Sequence, residues 1–192
     1  VIIHEVSHGY AALFLGDRTA EYEGRLTLNP IPHIDLVGTI LLPAITLMLP
    51  GGLLFGWAKP VPYNPYNLRD ERWGEALVAL AGPFSNVLIA LIFGFFIRFY
   101  LLPKGLIESG MGVMCLIIVL VNITLAVFNL IPIPPLDGSK IISAVLPSAW
   151  MKVRTAVEKF GFVGVILFLI FLWQFFEPVI PWLFGLITGL GM

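Results

Sequence analysis

Two of the chain's three histidines stand four residues apart in the stretch HEVSH (4–8), with Glu5 next to the first. On an α-helix, positions 4 and 8 project from one face, so both imidazoles can reach a single metal ion. Glu5 is turned from His4 by about 100° and lies beside such an ion rather than on it. A base in that position can take a proton from water and pass it to a leaving amine, and zinc lowers the pKa of the water it activates to about 7. Two interfacial histidines on an ordinary helix would give the same spacing. A glutamate inside an apolar helix, however, costs a few kcal/mol unless it has a partner or a use.

A catalytic zinc takes three protein ligands and leaves a fourth position to water. The remaining histidine, His33, is one candidate for the third ligand. Acidic residues flanked by apolar sequence are the others, and Asp137 in NLIPIPPLDG (129–138) stands out among them. The prolines at 132, 134 and 135 hold the backbone out of a helix, and Gly138 permits a tight turn. Non-helical backbone at membrane depth is tolerated where protein buries it or a watery cavity receives it. A hydrolase working in a bilayer needs such a cavity. Asp137 also suits the N-cap of a short helix over 139–146, and capping is compatible with ligation.

These residues must be positioned by a very apolar chain. Hydrophobic residues make up 58% of the 192 and charged ones 12%, with a mean hydropathy of +0.95, which points to a bilayer as solvent. A net charge of −1 gives no pointer to nucleic acid. The single Cys115 excludes an internal disulfide and a cysteine-built zinc or redox cluster.

Runs at 76–101, 111–131 and 161–187 are long enough to span, and the last should end or bend at Glu177-Pro178 or Pro181. Residues 1–15 read as the second half of another helix. The chain is therefore expected to be an N-terminally truncated, single membrane-embedded metalloprotease core over 1–192. Residues 36–58 are apolar too, but Pro43 and Pro50-Gly51-Gly52 cut them. The stretch GRLTL (24–28) alternates polar and apolar residues, predicting a short strand that could receive an extended substrate by edge pairing. Residues 59–74 predict a polar, proline-rich loop. The expected fold is all-α: a multi-pass transmembrane helix bundle with a re-entrant segment and a short β-strand near the active site.

HEVSH, GPFSN (82–86) and NLIPIPPLDG, in that order, resemble the three motifs of the site-2 protease family of intramembrane zinc metalloproteases. RLTLNP (25–30), HIDLVGT (33–39) and FGWAKPVP (55–62) are similar to a compact prokaryotic branch of that family without a PDZ domain. The resemblance implies one catalytic zinc ion held by His4, His8 and Asp137, with Glu5 as the catalytic glutamate. It implies that Asn86 and Asn129 line the active site and bind substrate, which would be a transmembrane protein in the lipid bilayer. Their amides donate and accept at once, so they suit an unwound substrate strand or a developing oxyanion, and equally an interhelical hydrogen bond. The alternative is a metal-binding membrane protein without proteolysis, a transporter or degenerate scaffold, which would need ligands but no base such as Glu5.

Ligation also constrains topology. If His8 and Asp137 meet, helices 76–101 and 111–131 make one round trip between them, and residues 36–58 must start and finish on one side, as a re-entrant hairpin does. Nine of the eleven basic residues then share the active-site side: Arg18, Arg25, Lys59, Arg69, Arg72, Lys140, Lys152, Arg154 and Lys159. Only Arg98 and Lys104 fall on the other. The excess of positive charge makes the active-site side cytoplasmic, in a membrane expected to be that of a prokaryotic cell. His33 and Asp35 are expected to anchor a loop, Lys140 to be a solvated charge or to tune the site, and Trp57, Trp73 and Trp150 to sit at interfaces.

Overall fold

A computed structural model describes residues 1–48, 56–146, 171 and 173–190. HEVSH lies on α1 (Ile2–Phe14), as the histidine spacing requires. Gly16 follows at φ +112°, a conformation that favours glycine and turns the chain away from the helix end. A single helical turn, Thr19–Tyr22, and a 3₁₀ turn, Ile31–His33, lead to Asp35. The Asp35 carboxylate accepts a hydrogen bond from Gly38 N at 2.6 Å and starts a π-helical turn, Leu36–Leu41, that continues as α2 (Leu42–Met48). Pro43 thus lies inside a continuous helical run, just beyond the change from π to α. The Pro50-Gly51-Gly52 bend lies outside the described residues.

The chain returns beside its own departure point. Trp57 N donates to the Gly38 carbonyl at 3.0 Å and Thr39 Oγ1 to the Trp57 carbonyl at 2.9 Å. The indole occupies the space where a side chain on Gly38 would stand. Both ends of 36–58 therefore adjoin.

Helix α3 (Glu71–Phe96) continues as a π-helical turn to Leu101. It starts earlier than the apolar run because Asp70 caps it, its Oδ1 accepting from Arg72 N at 2.9 Å and Trp73 N at 2.8 Å. The first turn is polar, so hydropathy alone misses it. Helix α4 (Gly110–Asn129) is capped by Ser109 Oγ, which accepts from Gly112 N. Glu71–Leu101 and Gly110–Asn129 are both long and apolar enough to cross a bilayer. Helix α5 (Asp137–Val145) and helix α6 (Val179–Thr188) follow. Residues 161–170 and 172 of the expected span at 161–187 fall outside the described residues. Its described part is helical around a turn at Glu177-Pro178, the expected break, while Pro181 sits inside α6.

Helix α3 packs against α1, α4 and α5 and is the central element. Its second half joins α4 and α6 in an apolar core that includes Ala90, Ile97, Val119, Ile123 and Phe184. A smaller cluster of Ala12, Leu68 and Val78 ties its first half to α1.

The expected strand at 24–28 does not form, and the described residues contain no strand. Alternation fits any chain with one face buried, but a strand also needs a ladder partner. Here side chains use the local groups instead: His33 Nε2 donates to the Thr27 carbonyl at 2.9 Å, and Asn29 N donates to Thr27 Oγ1 at 3.1 Å. Arg25, buried, donates from Nη2 to the carbonyls of Lys59 at 2.8 Å and Pro60 at 3.0 Å. The segment holds the 59–60 loop in place without forming a sheet edge.

Candidate metal centre

Three donor atoms from distant parts of the chain converge. His4 Nε2 and His8 Nε2 each lie 3.3 Å from Asp137 Oδ2, and the two nitrogens are 3.1 Å apart. The rings meet nearly at right angles, interplanar 89°. All three residues are buried. Zinc bonds of roughly 2.0–2.2 Å at tetrahedral angles would set neighbouring donors about 3.3 Å apart, so the triangle has the size and donor set that suit this ion.

Each imidazole is held from behind. His8 Nδ1 donates to the Val78 carbonyl at 2.7 Å, which leaves Nε2 without a proton and free to ligate. His4 Nδ1 lies 3.0 Å from the Asn86 amide, whose Oδ1 is otherwise buried without a partner. A half-turn of that amide places Oδ1 against an Nδ1 proton and frees Nε2 of His4 in the same way.

The glycine of GPFSN has a part that composition could not assign. A Cβ on Gly82 would stand 2.5 Å from His8 Cε1 and Nε2 and 2.6 Å from His4 Cε1. Helix α3 can carry both imidazoles against its face only where it has no side chain.

Asp137 is the first residue of α5 and makes no capping bond; Leu136 occupies the cap position. Gly138 is helical rather than left-handed, and its need is proximity: a side chain there would strike the carbonyls of Leu130 and Ile131. The proline stretch can thus fold tightly under α5 and raise the carboxylate toward α1. Lys140, one turn on, places Nζ 3.9 Å from Asp137 Oδ1.

Glu5 points into a cleft of about 200 Å³ that His4, His8, Asp137 and Asn129 also line. Its Oε2 accepts from Val61 N at 3.1 Å. Val61 stands between Pro60 and Pro62, so its N–H is the one backbone donor of that tripeptide. Tyr63 completes this wall, its hydroxyl donating to Glu75 Oε1 at 3.3 Å. Burial, and then the neighbouring Glu75 carboxylate, push the Tyr63 phenol above its usual value.

The other candidates differ in where they fall. His33 is buried in the 25–35 loop, bonded to Thr27, away from the triangle; Asp35 caps the following turn. Asn86 is 1% exposed and stands behind His4 rather than in the cleft. Asn129 lines the cleft while its Nδ2 donates to the Leu125 carbonyl of its own helix at 2.9 Å. Sequence reasoning also passed over Asp17. Its Oδ1 accepts from Thr19 N and Oγ1 and from Asn67 Nδ2, and its Oδ2 accepts from Asn64 N. These bonds join the end of α1 to the loop that carries Val61 and Tyr63.

Comparison with known proteins agrees with this arrangement. The sequence model of peptidase family M50 matches residues 100–172. The candidate zinc metalloprotease YwhC of Bacillus subtilis is 40% identical over 166 residues, 84% of this chain and 72% of its own length. The candidate zinc metalloprotease Rip2 of Mycolicibacterium smegmatis is 29% identical over 95% of this chain and 68% of its own length. The candidate zinc metalloprotease MJ0611 of Methanocaldococcus jannaschii is 31% identical over 88% of this chain and 75% of its own length. No solved structure gives a significant match. On the identity and coverage shared with YwhC, the chain belongs to peptidase family M50, the site-2 proteases.

Proposed function

We propose that this zinc metalloprotease of the site-2 family hydrolyses peptide bonds in or near the transmembrane segments of other membrane proteins. One observation carries the assignment of the site: two imidazole nitrogens and a carboxylate oxygen, separated by more than a hundred residues of sequence, form a buried triangle 3.1–3.3 Å on a side, with Glu5 beside it. His4, His8 and Asp137 would hold the zinc. When bound there, the ion supplies a Lewis acid and a water of lowered pKa.

The chain's own groups do the rest. Glu5 takes a proton from the attacking water and returns it to the leaving amine nitrogen; the Val61 N–H holds Oε2 and leaves Oε1 to accept that proton. The Val78 carbonyl and Asn86 orient the imidazoles. Asn129, with its nitrogen engaged, offers an acceptor oxygen for a substrate N–H. A helix shields its own carbonyls, so a substrate segment must unwind before entering the cleft.

Residues 1–192 act as one membrane-embedded core in this proposal. Segment 36–58 re-enters the side it left, a view supported by the contact of Gly38 with Trp57. The active site then faces the cytoplasm of a prokaryotic cell.

The test uses the intact protein in liposomes with a single-span reporter. Glu5→Gln should still bind one zinc ion per chain while cleavage falls by about 10²–10⁴-fold. Cleavage at the wild-type rate would end the assignment of Glu5 as the base.

A further inference from the structure

A tetrahedral adduct places negative charge on the former carbonyl oxygen, and hydrogen-bond donors fixed in advance stabilise that charge most effectively. The cleft beside Glu5 offers few side-chain donors. Tyr63 gives its hydroxyl proton to Glu75. Asn129 gives one amide hydrogen to the carbonyl of Leu125 and keeps a second, uncharged donor. The imidazoles turn their Nδ1 sides away from the cleft, toward Asn86 and Val78. Even the backbone N–H of Val61 is directed at Glu5.

Among the described side chains that line this cleft, Lys140 is the one lysine or arginine, so it is the one that brings a fixed positive charge as well as a donor. Its Nζ stands 3.9 Å from Asp137 Oδ1, too far for a tight hydrogen bond, and 5.1 Å from the centre of the Tyr63 ring. The side chain is 32% exposed, and Lys140 lines the cleft. Its place is well fixed: Asp137 and Lys140 share the first turn of α5, and Tyr63 is itself tied to α3 through Glu75. The Asp137 carboxylate is thereby divided, Oδ2 toward the imidazoles and Oδ1 toward the ammonium.

We propose that Lys140 is a further catalytic residue, its ammonium donating a hydrogen bond to the substrate carbonyl oxygen as that oxygen becomes charged. The inference rests on the proteolytic reading above. In the addition step the water oxygen bonds to the carbonyl carbon, the C=O pair moves onto oxygen, and the released proton goes to Glu5. Lys140 keeps its three protons. On collapse the pair returns, the C–N bond breaks, and the Glu5 proton goes to the amine nitrogen.

The experiment compares the intact wild type with Lys140→Met and Lys140→Arg, using the single-span reporter, a Zn²⁺ titration and a phosphinate peptide that mimics the tetrahedral adduct. Lys140→Met should lower kcat by about 10²–10³-fold and weaken the phosphinate by a similar factor, with KM and Zn²⁺ affinity within about twofold of wild type. Lys140→Arg should recover about a tenth or more of the activity, because it restores a cation at that wall. A fall in Zn²⁺ affinity that accounts for the lost activity would overturn the proposal in favour of a Lys140 that only orients Asp137. Unchanged kcat and unchanged phosphinate binding would overturn it in favour of a solvated charge. A wild type that never cleaves any reporter would count against proteolysis instead, and phosphinate binding would still decide the part played by Lys140.

Discussion

Gly82 and Gly94 are the same residue on the same helix, and a methyl group would strike a neighbour at either one. At Gly82 the neighbours are the imidazole rings of His4 and His8; at Gly94 the neighbour is Ile187 Cγ2 on α6. The first half of α3 thus holds ligating groups whose position is their function. The second half holds apolar side chains whose only requirement is to fill space. Identical local sequence constraints arise from unlike demands, and substitution can tell them apart.

The largest effect is expected at Gly82. Alanine is favoured over glycine in a helix by about 1 kcal/mol, and the imidazoles can swing aside on their side-chain torsions, so Gly82→Ala should fold. It cannot keep both Nε2 atoms on one ion. Zn²⁺ affinity should fall by at least about 100-fold, taking cleavage with it, while the melting temperature of the zinc-free protein stays the same or rises. Zinc binding at wild-type strength in Gly82→Ala would show that the two halves of α3 are held to the same loose standard.

Gly94→Ala should do the reverse. Overpacking against Ile187 should lower thermal stability by about 1–3 kcal/mol in detergent, while Zn²⁺ affinity stays near wild type. Because the obstacle is a side chain, it can be removed. In an Ile187→Ala background the same Gly94→Ala change should be neutral or stabilising, since only the helix-propensity gain remains. No equivalent rescue exists at Gly82, where the obstacle is the ligand itself.

What the sequence could reveal follows the same division. The apolar lengths of α3 and α4 and the shared helical face of His4 and His8 were legible, because bilayer thickness and helical period act on residue type alone; Asp137 stood out only as an acidic residue in an apolar, proline-rich stretch, beside His33 as the other candidate. The strand at 24–28 was misread because alternation records one buried face and does not record a partner; Arg25 and His33 took the hydrogen bonds a ladder would have used. The resemblance put Asn86 at the active site, but residue type and spacing say nothing of its contact with His4 Nδ1, which depends on how α3 packs on α1. Gly138 was read for its freedom in φ and is needed for its lack of bulk. Asp17 and Val61 were invisible because what they do depends on partners brought near only by the fold: Asp17 meets Asn64 and Asn67, and Val61 meets Glu5.

Asp17 supplies the finest test of the contrast, because the site end of the bundle is tied by several bonds to one carboxylate, while the far end is apolar apart from Arg98 Nη1, which donates to the Leu186 carbonyl. Burial raises the Asp17 carboxyl, but hydrogen bonds from Thr19, Asn67 and Asn64 outweigh it and hold the group below its usual value. A carboxylate whose folded pKa is depressed adds stability that is fully present above its unfolded pKa of about 3.9 and is lost as pH falls through the folded value. Asp17→Asn keeps an oxygen for the three donors at Oδ1 but turns an amide toward Asn64 N, leaving that donor unserved at a loss of about 1–2 kcal/mol. The stability gap between wild type and Asp17→Asn should therefore stay level from pH 8 to about pH 5 and narrow below about pH 4, as the wild-type carboxyl protonates. The Gly94→Ala gap should hold constant across the same range, since no titrating group enters it. Parallel thermal melts of the two variants read both slopes, and an Asp17 gap that is flat down to pH 3 would remove the charge from the account of how this loop is held.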